Sequence, residues 1–127
     1  MSEFVFNINT SQLTLGELYD KLCALNKEQP VTIGNGLYVD GFDSYRGDYY
    51  QGQLTYTFQE NNKTVGDVLK ILDDALDRGY MTGYKGGEFD VDDNISMNMA
   101  MYGCTGQHIV DVIVVDDVVN IVGKEYH

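Results

Sequence analysis

A helix start that occurs twice constrains this chain most. Thr14-Leu15-Gly16-Glu17-Leu18 and Thr64-Val65-Gly66-Asp67-Val68 match position by position in residue type. A threonine followed three residues later by an acid makes a capping box. The hydroxyl accepts from the N3 amide, and the carboxylate accepts from the amide of the cap residue. Behind the first start, Leu15, Leu18, Tyr19, Leu22 and Leu25 recur at helical spacing, which predicts a helix to about Asn26. Behind the second, Leu69, Leu72, Ala75 and Leu76 lead to a glycine stop at Gly79. Each predicted helix is followed by a short apolar segment and a Gly-rich turn. The pair reads either as a duplicated helix–strand unit starting near 14 and 64, or as two independent capping boxes. Two copies are too few for a solenoid.

The segments around these helices carry strand signals. Over Glu3 to Ile8, Phe4, Phe6 and Ile8 alternate with Val5 and Asn7. Val31 to Ile33 follows the single proline, Pro30, and Leu37 to Val39 follows Gly34-Asn35-Gly36. Gln53 to Phe58 alternates cleanly, and Ile95 to Tyr102 places Met97, Met99 and Met101 on one side. Core filling is the usual use of such methionines, and an adaptable contact surface is the alternative. Gln107 to Val115 and Val118 to Val122 form a β-branched hairpin about Asp116-Asp117. The 127 residues, 43% of them apolar, suit one α+β domain: a mostly antiparallel sheet with two helices packed on one face.

Acidic residues outnumber Lys and Arg by 20 to 8, a formal charge of −12 distributed over both halves of the chain. Direct binding to nucleic-acid backbones is therefore not expected, since phosphates repel an acidic surface. Solubility, a basic protein partner and mimicry of nucleic-acid charge all fit. The N-terminus lacks a basic n-region and a long apolar run, and Asp111, Asp116 and Asp117 break the most apolar stretch. Neither a signal peptide nor a membrane span is expected. Cys23 and Cys104 lack metal-ligand spacing and are expected to be reduced thiols in a cytosol.

Against this acidic background two cationic clusters stand out. Asp43-Ser44-Tyr45-Arg46-Gly47-Asp48-Tyr49-Tyr50 sets one arginine among three tyrosines, in a long loop with glycines at Gly41, Gly47 and Gly52. Gly83-Tyr84-Lys85-Gly86-Gly87 repeats the combination of tyrosine, cation and glycine. Arginine presents a planar fork of donors suited to phosphate, tyrosine a stacking face, and glycine backbone N–H groups that approach an anion closely. The residues expected to bind a ligand are Tyr45, Arg46, Gly47, Tyr49, Tyr84, Lys85, Gly86 and Gly87. The plainer alternative is two turns, with Arg46 held by Asp43 or Asp48 and Lys85 solvated. The second cluster is not a P-loop, because it lacks that spacing and a following helix.

Other chemistry is thinly represented. His127 ends the chain and His108 opens a predicted strand. Neither Ser44 nor Cys104 has a base nearby in sequence, so no catalytic set and no cofactor is expected. Asp90-Val91-Asp92-Asp93-Asn94 begins like a calcium loop, but the required glycine is Ile95 and the twelfth position is Met101. An acidic turn region over Glu88 to Asn94 is the simpler reading.

Ser44-Tyr45-Arg46-Gly47 with a second tyrosine after it, Thr64-Val65-Gly66-Asp67, and Gly83-Tyr84-Lys85-Gly86-Gly87-Glu88 together resemble a group of small phage and prophage proteins. The resemblance covers roughly residues 14–112. That group carries a tryptophan in the strand after the second motif, where this chain has Met97 to Met101 and no tryptophan. The resemblance implies a phage-encoded protein acting in a bacterial cytosol, in a setting where small accessory proteins counter host defence. The combined expectation is a non-enzymatic binder of a phosphorylated small molecule such as a nucleotide immune signal. The alternative is an acidic inhibitor that occupies the nucleic-acid channel of a host defence protein. An exposed edge on the C-terminal hairpin would favour a homodimer.

Overall fold

The computed structural model describes residues 11–44, 51–82, 88–100 and 106–125. The strand expected near Phe4 to Ile8 lies outside them. Both capping boxes form. Helix α1 (Leu15–Cys23) begins with the Thr14 hydroxyl accepting from the Glu17 amide and the Glu17 carboxylate accepting from the Thr14 amide. It stops before Asn26, because the Asn26 side chain accepts from the Glu28 amide at 2.9 Å and opens a turn instead of continuing the helix. Helix α2 (Val65–Arg78) repeats the box with Thr64 and Asp67. It ends on Gly79 in the left-handed region, φ 76°, with the Gly79 N–H donating to the Ala75 carbonyl.

The strands are β1 (Val31–Ile33), β2 (Tyr38–Ser44), β3 (Gln51–Thr57), β4 (Tyr80–Thr82), β5 (Glu88–Asp90), β6 (Ser96–Ala100), β7 (Gln107–Val115) and β8 (Val118–Glu125). Six form one sheet in the order β1-β8-β7-β6-β3-β2, and β4 and β5 form a separate antiparallel ribbon. Within the large sheet β1–β8 and β3–β6 run parallel and the other pairs antiparallel. The α+β expectation holds, with a mixed sheet. One face carries Ile33, Val39, Leu54, Met97, Met99, Ile109, Val119 and Ile121. These form a single core with Leu15, Leu18 and Leu22 of α1 and Val65, Val68, Leu69, Leu72 and Ala75 of α2. Met97 and Met99 thus fill the core, while Met101 falls outside the described residues.

Several boundaries differ from the sequence reading. Gly41 and Gly52 are ladder residues, so β2 and β3 run into the stretch expected to be a loop, and residues 45–50 between them lie outside the described residues. A Cβ at Gly52 would lie 2.8 Å from Phe42 Cζ and 3.1 Å from Ile95 Cδ1, so a side chain there would have to displace the ends of both. Glu88 to Asp90 is a strand, not the start of an acidic turn, and Val91 is buried. The C-terminal hairpin lies inside the sheet: β7 is flanked by β6 and β8, and β1 covers β8 over Val119 to Ile121. β6 pairs with β7 only at Gln107 and His108, and β1 with β8 only over Val119 to Ile121, so among the described residues the edge argued for a dimer is covered over part of each hairpin strand and not removed. The hairpin turn itself is a two-residue connection with both Asp116 (φ 51°) and Asp117 (φ 65°) left-handed, as a turn matching strand twist requires.

The two helix starts dock in the same way. Thr14 bridges Ser96, Leu15 N–H donates to the Ile95 carbonyl at 2.9 Å, and Gly16 N–H donates to the Asp93 carbonyl at 3.0 Å. Thr64 bridges Pro30, Val65 N–H donates to Gln29, and Gly66 N–H donates to Lys27, both at 2.9 Å. The α2 start therefore docks on the segment that leads into β1, the strand following α1, and the α1 start on the segment that leads into β6. Leu13 extends the first contact. Its N–H donates to the Ile109 carbonyl and its carbonyl accepts from Met97 N–H, so it fills the fork where β6 and β7 diverge.

Candidate functional site

The predicted binding residues sit on two connections. Tyr45, Arg46, Gly47 and Tyr49 belong to residues 45–50, between β2 and β3. Tyr84, Lys85, Gly86 and Gly87 belong to residues 83–87, between β4 and β5. All eight lie outside the described residues. Their anchors are described: Ser44 pairs with Gly52 and Thr82 with Glu88, both in antiparallel register. β4 also lies against β2, so the two hairpins spring from adjacent strands.

A second site was not anticipated. On the sheet face away from the helices, strand register aligns one residue from each of five strands. Asp43 on β2 pairs with Gln53 on β3, and Gln53 pairs with Asn98 on β6. Asn98 pairs with His108 on β7, and His108 with Lys124 on β8. Side chains of register partners point the same way and stand roughly 5 Å apart, so the five form a polar row across the sheet. Gln53 and Asn98 at its centre are buried, 2% and 0% exposed. Lys124, at one end, is exposed.

The two central amides differ in how they are held. Asn98 Nδ2 donates to Gln51 Oε1 at 2.9 Å and to the Gly52 carbonyl at 3.1 Å, while its Oδ1 accepts from Gln12 Nε2 at 3.1 Å. Gln12 Nε2 also donates to the Met97 carbonyl at 2.8 Å, which ties the segment before α1 to the row. Gln53 makes no side-chain hydrogen bond to another described residue, a state that is costly for a buried amide. Burial, and then the Lys124 ammonium, hold the His108 imidazole below its ordinary pKa, so its neutral form is favoured. Chemically the row offers amide donors and acceptors beside a neutral imidazole, with a carboxylate and an ammonium at its ends.

The sequence did contain a trace of this row. Gln51, Gln53 and Thr55 alternate with Gly52, Leu54 and Tyr56, and Ser96 and Asn98 alternate with Met97 and Met99. Each strand alone looks half-solvated. Only the pairing of β3 with β6, distant in sequence, reveals that their polar sides meet in the interior.

The remaining candidates are plainer. Asp92 accepts from the Asn94 amide and, with Asp90 and Asp93, is exposed. Among the described residues no three His, Cys, Asp or Glu side chains gather as a metal site. Cys23 is an exposed thiol on the last turn of α1, and Cys104 is outside the described residues. Tyr19 on α1 donates its hydroxyl to Asp73 of α2 at 2.8 Å, and that bond pushes its pKa up to about 12. Among the described residues no helix is long and apolar enough to cross a membrane. Comparison with protein-family models, with curated proteins and with solved structures finds no match.

Proposed function

We propose that the protein is a non-enzymatic binder of a phosphorylated small molecule, a nucleotide signal in the cytosol of a phage-infected cell. What supports this is the contact between β2 and β4: the hairpin carrying Tyr45, Arg46 and Tyr49 and the hairpin carrying Tyr84 and Lys85 start from neighbouring strands. Arg46 and Lys85 supply charge for phosphate, the tyrosines supply faces for a base, and Gly86 and Gly87 offer backbone donors. Local positive charge on an acidic protein favours a small anion while the wider surface repels long nucleic acid. The resemblance to phage proteins gives the setting, in which sequestering an immune nucleotide would protect the infecting phage.

Thermal melts and native mass spectra against linear and cyclic nucleotides test the reading. The expected result is a nucleotide that raises Tm, with the rise abolished in Arg46→Ala and Lys85→Ala while their ligand-free Tm stays within a few degrees of wild type. Unfolding of Arg46→Ala without ligand would make Arg46 a structural residue.

The exposed acids on α2, Asp67, Asp73, Asp74 and Asp77, favour a second reading. Together with Asp92 and Asp93 they suit a basic channel on a host defence protein. Binding of that kind weakens steeply as salt is raised, and a salt-independent affinity for a captured partner would count against it.

A further inference from the structure

We propose that the outer face of the β7–β8 hairpin is a contact surface for a second copy of this chain, independently of the nucleotide reading. The observation behind it is an internal comparison, because two halves of the chain match in their pairing. β1 pairs with β8 in parallel as β6 does with β3, and Val31–Val119 corresponds to Met97–Gly52. Val31 N–H donates to the Lys63 carbonyl as Met97 N–H donates to that of Leu13, one residue before each helix cap. The hairpins β2–β3 and β7–β8 then bulge at the same place, after Val39 and after Ile109. The carbonyls of those two residues accept from Asn61 Nδ2 and from Leu13 N–H. Counted from the bulge, Asp111 and Val122 stand where Gly41 and Thr55 do, and Ile113 and Asn120 where Asp43 and Gln53 do.

The matching frames carry different outer faces. Val119 and Ile121 enter the core, so alternation sends Val118, Asn120, Val122 and Lys124 outward, with Val115, Ile113 and Asp111 beside them. At matching positions β2–β3 presents Asp43 and Thr55, whereas β7–β8 presents Ile113 and Val122. The fold accepts polar residues there, so it does not require apolar ones. Val115 is nonetheless 52% exposed, and Ile113, Val118 and Val122 are half-buried, with both helices packed on the other face. A contiguous β-branched patch left facing water marks a contact site. Its charges select the occupant. Asp116 and Asp117 are exposed at one end, Lys124 is exposed about 20 Å away at the other, and Asp111 between them is paired with Lys21. A two-fold axis lying across the strands sets the acidic tip of each copy over the partner's Lys124. An axis along the strands would set acid on acid. Roughly 20 Å by 15 Å over β1, β8 and β7, the strip covers on the order of 300 Å² per copy, the size of a weak, reversible interface.

The experiment is sedimentation equilibrium of the full chain at physiological ionic strength, from about 1 to about 500 μM, a range that brackets a weak interface. The expected result is a reversible monomer–dimer equilibrium with no larger species, as a closed two-fold contact requires. Ile113→Asp with Val122→Thr, which installs the residues of the matching positions, should raise the dissociation constant roughly tenfold or more. Lys124→Glu, and separately Asp116→Asn with Asp117→Asn, should each raise it roughly fivefold, since each contact is lost twice. Asparagine tolerates the left-handed backbone of that turn, so the last variant keeps its fold. Lys124→Arg should leave the equilibrium unchanged. A monomer at every concentration would overturn the inference. So would a dimer that all three weakening variants leave intact, which would place the contact on an uncovered strand edge instead. If the Ile113→Asp pair fails to fold, the two charge variants decide the matter on their own.

Discussion

Asn98 and Gln53 sit side by side on parallel strands, both buried, and Asn98 is the one tied to its neighbours by hydrogen bonds on both its nitrogen and its oxygen. Replacing Asn98 by Leu keeps the volume but removes the bonds of Asn98 to Gln51 Oε1, to the Gly52 carbonyl and to Gln12 Nε2. Each lost hydrogen bond costs about 1 kcal/mol; Gly52 is buried, and Gln51 and Gln12 are half-buried. Asn98→Leu should therefore lower stability by roughly 3 kcal/mol. In urea titrations this would appear as a lower midpoint at an unchanged m-value, and a midpoint within error of wild type would show that the network contributes nothing. His108, one strand further along, gives a pH signature. Its folded pKa is depressed, so the unfolded chain binds the proton more readily. The contribution of the neutral imidazole is present above about pH 6.5 and is lost as pH falls through the lower folded value. Lys124 works in the same direction. Because acid also relieves the net negative charge of this protein, the comparison is between wild type and His108→Gln. The Tm of wild type should fall relative to the variant on acidification from neutral pH, and parallel profiles would refute the assignment.

At the scale of elements, the two helix starts show what short-range chemistry writes into a sequence and what it does not. Thr14 with Glu17, and Thr64 with Asp67, are contained within four residues, so both caps were legible, as was the Gly79 stop. The Asp116-Asp117 turn was legible for the same reason. The docking of the caps on the segments before β6 and β1 was not, because Asp93 and Ile95 lie far along the chain from Gly16 and Leu15. Nor was the parallel pairing of β3 with β6 readable, and with it the polar row. The loop boundaries around Gly41 and Gly52 were misjudged because glycine signals turns on average, whereas here both are ladder residues and Gly52 lies against the ends of Phe42 and Ile95. The docking itself gives a graded prediction. A Cβ at Gly16 would sit 3.0 Å from Asp93 Cβ and 3.2 Å from its carbonyl oxygen, while one at Gly66 would meet the Lys27 carbonyl oxygen at 3.3 Å. Alanine gains up to about 1 kcal/mol over glycine in a helix interior, less in a first turn. Gly66→Ala should be close to neutral and Gly16→Ala destabilising, since Asp93 Cβ is fixed to the backbone and cannot rotate away. Equal melting temperatures for the two variants would show that the contact at Asp93 relaxes freely.

For the whole molecule the dominant long-range term is charge. With 20 acidic residues against 8 Lys and Arg, at least twelve carboxylates lack a cation to pair with one to one. Among the described residues Lys70 pairs with Asp74 at 3.3 Å and Lys21 with the largely covered Asp111 at 3.4 Å, and an exposed pair such as the first is worth under about 1 kcal/mol. Screening therefore removes little attraction and much repulsion. Raising salt from a few millimolar, where the Debye length is tens of ångströms, toward physiological strength, where it is about 8 Å, should raise Tm steadily and then plateau. The same screening separates the two functional readings. A small phosphorylated ligand meets local cations under a repulsive far field, so the two effects of salt oppose each other and its affinity changes little. A basic protein partner is attracted by that far field, so its affinity falls steeply. Measuring Tm and affinity over one salt series places both on the same axis. A Tm that is flat or falls with salt would mean that paired charges outweigh the excess of carboxylates, and the picture of a self-repelling surface would have to be abandoned.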